Sequence, residues 1–141
     1  MTKIVYNACY GGFSLSHEAI MRYAEIKGIT LYVEETPPRA LVNHYYLCPF
    51  DEWKQINDEE RKQPAAPGRF DASNQLYFNA RDIERSDPAL IQVVEEMGEA
   101  ANGRCAELQI AEVPAGTQYR IDEYDGSESV MTIDDYDWKV A

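Results

Sequence analysis

Nine residues carry the chemistry that this chain can offer a ligand: Tyr10, Gly11, Gly12, Phe13, Ser14 and Ser16 near the start, and Asn79, Arg81 and Arg85 in the middle. Gly11-Gly12 lies where a strand-like run hands over to a helix start. Glycines let a backbone come close to a ligand. A helix start presents N–H groups and the positive end of its dipole, which together suit an anion. Ser14 and Ser16 add hydroxyls, and Tyr10 and Phe13 offer flat faces to a planar group such as a base. The plainer alternative is a tight Gly-Gly turn with both rings in the core. The second cluster, Asn79-Ala-Arg81-Asp-Ile-Glu-Arg85, falls between a strand and a helix. Guanidinium groups there suit bidentate recognition of a phosphate or carboxylate. Against this, Arg81 and Arg85 have surface partners within reach in Asp82, Glu84 and Asp87. The two clusters converge if both helices start at the same sheet edge.

Other chemistries fail on spacing. There is no Gly-x-x-x-x-Gly-Lys-Ser/Thr loop and no Gly-x-Ser-x-Gly elbow. His17-Glu18 opens like a zinc-protease helix, but Met21 stands where the second histidine belongs. Glu123-Tyr-Asp125-Gly126 resembles part of a calcium loop, yet Ile121 and Thr132 occupy positions that need carboxylates. A hairpin with solvated acids accounts for it better. Cys9 ends a strand, but Leu15 stands where a cysteine phosphatase requires arginine. Cys9, Cys48 and Cys105 form no close pair, and with only His17 and His44 beside them a structural zinc site is not expected. All three read as small buried hydrophobes. No nucleophile–base pair or metal set can be assembled, so the reading is a non-enzyme with no cofactor.

The elements that must position these residues follow from local patterns. The 141 residues suit one α/β domain able to bury a core without disulfides. Residues 4–8 have strand character, Ser16 is a good N-cap, and Ile20, Tyr23 and Ala24 keep helical spacing up to Gly28. Residues 29–34 alternate like a strand, completing a strand–helix–strand start. Further strands are expected at 41–48, 76–80 and 105–113, and a short charged helix at 51–63. Residues 51–74 read as a surface insertion, with 63–74 the best loop. Asp87 and Pro88 open the clearest helix, 87–101, with Leu90, Ile91, Val94, Met97 and Ala101 on one face. Asp125-Gly126 predicts a hairpin between 119–124 and 129–133. The fold class is therefore mixed α/β: one mixed sheet, two helices against it, and an antiparallel C-terminal meander.

Net charge is −12, and the excess lies beyond residue 50: 1–50 hold four acids and four bases, 51–117 fourteen and seven, 118–141 seven and two. Nonspecific binding to nucleic acid or an anionic membrane is thereby disfavoured, though a small anion in a local arginine pocket is not. No apolar run approaches the roughly 20 residues needed to span a bilayer, and the first residues lack a signal peptide's regions, so a cytosolic protein is expected.

Cys9-Tyr-Gly-Gly-Phe-Ser-Leu-Ser16 with Ala19-Ile20 resembles the N-terminal signature of an uncharacterised family of small proteins encoded by tailed bacteriophages. Arg81-Asp-Ile, Arg85-Ser-Asp-Pro88, Val93-Val-Glu-Glu-Met-Gly98, Ala101-Asn-Gly103 and Glu123-Tyr-Asp-Gly126 extend the resemblance, which skips residues 35–74. The ending Tyr136-Asp-Trp-Lys departs from the family's more basic ending, so the charge of that region is not carried over. The resemblance implies a protein acting in the cytoplasm of an infected bacterium. By analogy with small phage accessory proteins, it implies an anti-defence role, such as sequestering a nucleotide-derived immune signal. The expected partner is thus a small nucleotide-like anion, with self-association into a homo-oligomer a further expectation. The alternative is an acidic module that inhibits a host protein, in part by nucleic-acid mimicry, through Tyr124, Tyr136, Trp138 and the aspartates 134, 135 and 137.

Overall fold

A computed structural model describes residues 1–34, 44–62 and 72–133. The chain divides into two compact units, one from Met1–Ile26 with the described residues from Ala80 onward, the other Lys27–Asn79.

In the first unit, β1 (Thr2–Asn7) carries Ile4 and Val5, both wholly buried, in its middle. It pairs antiparallel with β5 (Leu108–Val113), from Thr2 opposite Val113 to Asn7 opposite Leu108. Helix α1 (His17–Lys27) buries Ala19, Ile20, Tyr23 and Ala24, the stripe that 3.6-residue spacing dictates. The Ser16 hydroxyl accepts the Ala19 N–H and caps it. Helix α4 (Pro88–Met97) starts at Asp87, whose carboxylate accepts the Ala89 N–H, with Pro88 in the first turn where no donor is missed. Leu90 and Val93 are its wholly buried contributions, and a 3₁₀ turn, Gly98–Ala101, ends it. Strands β6 (Tyr119–Tyr124) and β7 (Ser127–Thr132) form the expected hairpin. Asp125 (φ 50°) and Gly126 (φ 87°) take the left-handed pair of conformations that a type I′ turn needs.

The second unit holds β2 (Tyr32–Glu34), β3 (His44–Tyr46), α2 (Phe50–Arg61), α3 (Ala72–Leu76) and β4 (Tyr77–Phe78). Its three strands form one antiparallel sheet in the order β2-β3-β4. The packing is aromatic, with Tyr46 4.8 Å from Trp53, 5.4 Å from Phe50 and 5.5 Å from Tyr77, measured between ring centroids. Trp53 donates its indole N–H to the Ser73 carbonyl, tying α2 to α3.

The mixed α/β class stands, but the described strands form three antiparallel sheets, not one mixed sheet. β1 and β2 are not parallel neighbours: β2 is three residues long with no buried position, whereas β5 offers a six-residue register. The strand expected at 105–113 starts three residues late, because Cys105 turns the backbone left-handed (φ 61°). Leu76 closes α3, shortening the strand expected at 76–80 to two residues. The insertion expected at 51–74 falls inside the longer unit Lys27–Asn79. Residues 41–43 of an expected strand, 63–71 of the expected loop and the 134–138 segment lie outside the described residues.

Candidate functional site

Between β1 and α1 the chain runs through residues 8–16, and most side chains there are committed to holding that path. Asn7, wholly buried, is the hub. Its amide donates to the carbonyls of Cys9 (2.6 Å) and Gly126 (2.9 Å), and its Oδ1 accepts from the N–H groups of Cys9 (3.2 Å) and Glu107 (2.8 Å). Both donors and both acceptors of a buried amide are thus satisfied. One side chain ties the loop, the approach to β5 and the hairpin turn together.

Two glycines make this crossing feasible. A Cβ on Gly11 would overlap the Cβ and carbonyl oxygen of Cys105, and a Cβ on Gly126 would overlap the Tyr10 carbonyl oxygen. Backbone lies on backbone at both points, so Gly11 serves close packing. Gly12 differs. It adopts φ 87°, and the first atom its missing Cβ would meet is Nη2 of Arg81, 3.8 Å away. The loop and the 80–87 segment therefore approach each other at Gly12 and Arg81.

Arg85 also reaches the loop, but its charge is spent inside the fold. Its guanidinium makes a two-pronged pair with Glu128 at 2.6 and 3.0 Å, with both side chains largely buried. It also lies 3.6 Å over the Phe13 ring, a close cation–π contact. Glu128 accepts the Asn7 N–H as well, at 2.9 Å. The partner of Arg85 is thus none of Asp82, Glu84 or Asp87, but an acid on the hairpin. Phe13 is buried at 4% exposure with its face under Arg85, so it cannot stack on a ligand.

The serines are likewise engaged. Ser14 donates its hydroxyl to the Arg104 carbonyl at 3.3 Å, and Ser16 donates to the Ala100 carbonyl at 2.7 Å while capping α1. Helix α1 begins five residues past Gly12, and its first turn is served by Ser16. The start of α4 holds the Asp87 carboxylate. The starts of α1 and α4 thus already have their own capping groups. Asn79 ends the second unit and is exposed.

Of the nine sequence candidates, Tyr10, Asn79 and Arg81 present exposed side chains and Gly12 presents bare backbone. Tyr10 is 67% exposed and Arg81 is exposed. A separate shallow depression on α4, lined by Lys3, Pro88, Ile91, Gln92, Glu95 and Glu96, has its cation tied to Glu95 at 2.6 Å. Among the described residues no three His, Cys, Asp or Glu side chains gather as a metal site, and no helix is long and apolar enough to cross a membrane. The cysteines do not share one environment: Cys48 is buried, with its thiol pKa pushed up by that burial, Cys9 is half-buried and Cys105 is exposed. Cys9 and Cys105 thus depart from the buried reading, and both lie beyond the strand ends, Cys105 in a left-handed turn (φ 61°).

Sequence reasoning missed Asn7 and Glu128. Asn7 left a faint signal, an asparagine two residues before Cys9 at a strand end, the spacing of an Asx turn. Glu128 left none, since nothing local links it to an arginine 43 positions earlier. Compared with known protein families, curated proteins and solved structures, the chain matches none.

Proposed function

We propose that the protein is a non-catalytic binder of a small nucleotide-like anion, acting in the cytoplasm of a phage-infected bacterium to sequester a host signal. The observation that carries this reading is the approach of Arg81 to the bare Cα of Gly12, beside an exposed Tyr10. Arg81 supplies the positive charge that a phosphate needs, and its planar fork suits bidentate contact. Tyr10 supplies an exposed ring for a base to stack on, and the absent side chain at Gly12 leaves its backbone open beside Arg81. The phage setting comes from the resemblance carried by residues 9–16 and 81–88. Titration calorimetry against cyclic dinucleotides and ADP-ribose-type nucleotides tests the reading. Saturable heat with the ligand recovered unchanged is expected, with stabilisation of about 2.7 kcal/mol at a hundredfold excess over Kd. No heat with any of them contradicts binding, and conversion of the ligand contradicts the non-catalytic reading.

A second reading, an acidic module that binds a host protein, is favoured by Tyr124 at 79% exposure, beside the hairpin turn. The residues 134–138 it also invokes lie outside the described part of the chain. A stable complex recovered from host lysate and lost with Tyr124→Ala supports it.

A further inference from the structure

We propose that the outer edge of β6 is the self-association surface of this protein, pairing antiparallel with β6 of a second copy about a two-fold axis centred on Ile121. Among the described residues β6 pairs only with β7, and β7 is the hairpin strand that packs towards β1. Beyond the strands the ladder continues with the Ile133 N–H donating to the Gln118 carbonyl at 3.3 Å. Bonded and non-bonded pairs alternate along an antiparallel ladder. Gln118, Arg120, Asp122 and Tyr124 therefore bond towards β7, while Tyr119, Ile121 and Glu123 turn their N–H and C=O groups outward. An edge with three outward residues is a template for another strand unless something blunts it.

The side chains favour a second copy as that strand. A two-fold axis normal to the sheet keeps each face on its own side, so only registers joining residues of like parity are allowed. Placing Ile121 against Ile121 of the second copy puts Tyr119 opposite Glu123 and Arg120 opposite Asp122. Arg120 and Asp122 already share the exposed face, with Nε 2.8 Å from Oδ1. Their side chains are 61% and 42% exposed. The two-fold would set four charges of alternating sign on that face, and opposite charges directly across an antiparallel pair are favourable. The register is isologous, so it closes at two copies instead of running on as a fibre. The outward positions 119, 121 and 123 become the hydrogen-bonded pairs of the new ladder, so backbone and side-chain requirements select the same register. The inference is independent of the anion-binding reading.

Sedimentation equilibrium of the full chain over a wide concentration range tests it. The expected result is a mass rising from 16.1 kDa towards about twice that value. Glu123→Pro removes an outward N–H without touching the β7 ladder and is expected to weaken association about tenfold or more, with the circular dichroism unchanged. Arg120→Asp sets like charges across the axis and also weakens it, whereas Arg120→Asp combined with Asp122→Arg restores it; this pair keeps the test valid should Glu123→Pro fail to fold. A monomer at every concentration overturns the proposal, the result expected if the edge stays open or the chain covers it itself. Association untouched by Glu123→Pro, or by the single charge change, overturns it in favour of another surface.

Discussion

Arg85 shows how the fold claims a residue that its neighbours in sequence leave open for chemistry. Its guanidinium is held by Glu128 and lies on the Phe13 ring, all three largely removed from water. Breaking such a pair leaves a buried charge uncompensated, while replacing both partners with apolar groups is far milder. Glu128→Ala is therefore expected to cost about 3–5 kcal/mol in chemical denaturation, and Arg85→Met with Glu128→Leu clearly less than Glu128→Ala alone. A double change at least as costly as the single one would show that the pair is not what holds the hairpin. Arginine at position 85 was legible as a candidate anion ligand, and its use as a clamp was not. That use depends on an acid brought in by the hairpin, and a contact spanning 43 residues leaves no periodic or local trace. Gly12 and Arg81 were legible as a pair because each lies at a strand-to-helix junction. The Ser16 cap and a core position for Phe13 were also legible, the latter as the plainer alternative. What the sequence could not indicate was which backbone Gly11 and Ser14 would pack against, since Cys105 and Arg104 lie about ninety residues on.

Elements with a local chemical cause were the readable ones. The helix at 88–97 announces itself through Asp87, Pro88 and an apolar stripe, and the hairpin through Asp125-Gly126. Strand pairing was not readable, because β1 finds β5 more than a hundred residues on and nothing in a six-residue run names its partner. The Asp87 carboxylate does two jobs: one oxygen accepts the Ala89 N–H and the other accepts the Tyr23 hydroxyl at 2.8 Å. Asp87→Ala removes both acceptors and is expected to cost about 2–4 kcal/mol, since the lost cap and the lost buried hydrogen bond add. Asp87→Asn, which keeps an acceptor at the cap, recovers part of that. Equal losses for the two variants would mean that the cap contributes nothing.

For the whole molecule, each of the two units carries a buried tyrosine whose hydroxyl donates to a carboxylate. In one unit Tyr23 has its pKa raised by burial and then by the bond to Asp87. In the other, burial and then the 3.1 Å bond to Glu34 push Tyr46 up to about 12. An unfolded tyrosine loses its proton near pH 10, so above that pH the unfolded chain holds fewer protons than the native one. The stability these groups contribute is complete below pH 10 and falls as pH rises towards 12, by about 1.4 kcal/mol per pH unit for each group. Melting temperatures across that window should drop, and Tyr46→Phe should flatten the slope; an unchanged slope in the variant would refute the assignment. A net charge of −12 repels any incoming anion, which places the demand for attraction on Arg81. Amide and guanidinium nitrogen NMR during titration with an ADP-ribose-type nucleotide tests the central claim most directly. The account predicts saturable shifts concentrated at the amides of residues 10–13 and at Nε of Arg81, abolished by Arg81→Met in a still-folded protein. Shifts that centre elsewhere, or that persist in Arg81→Met, would contradict it.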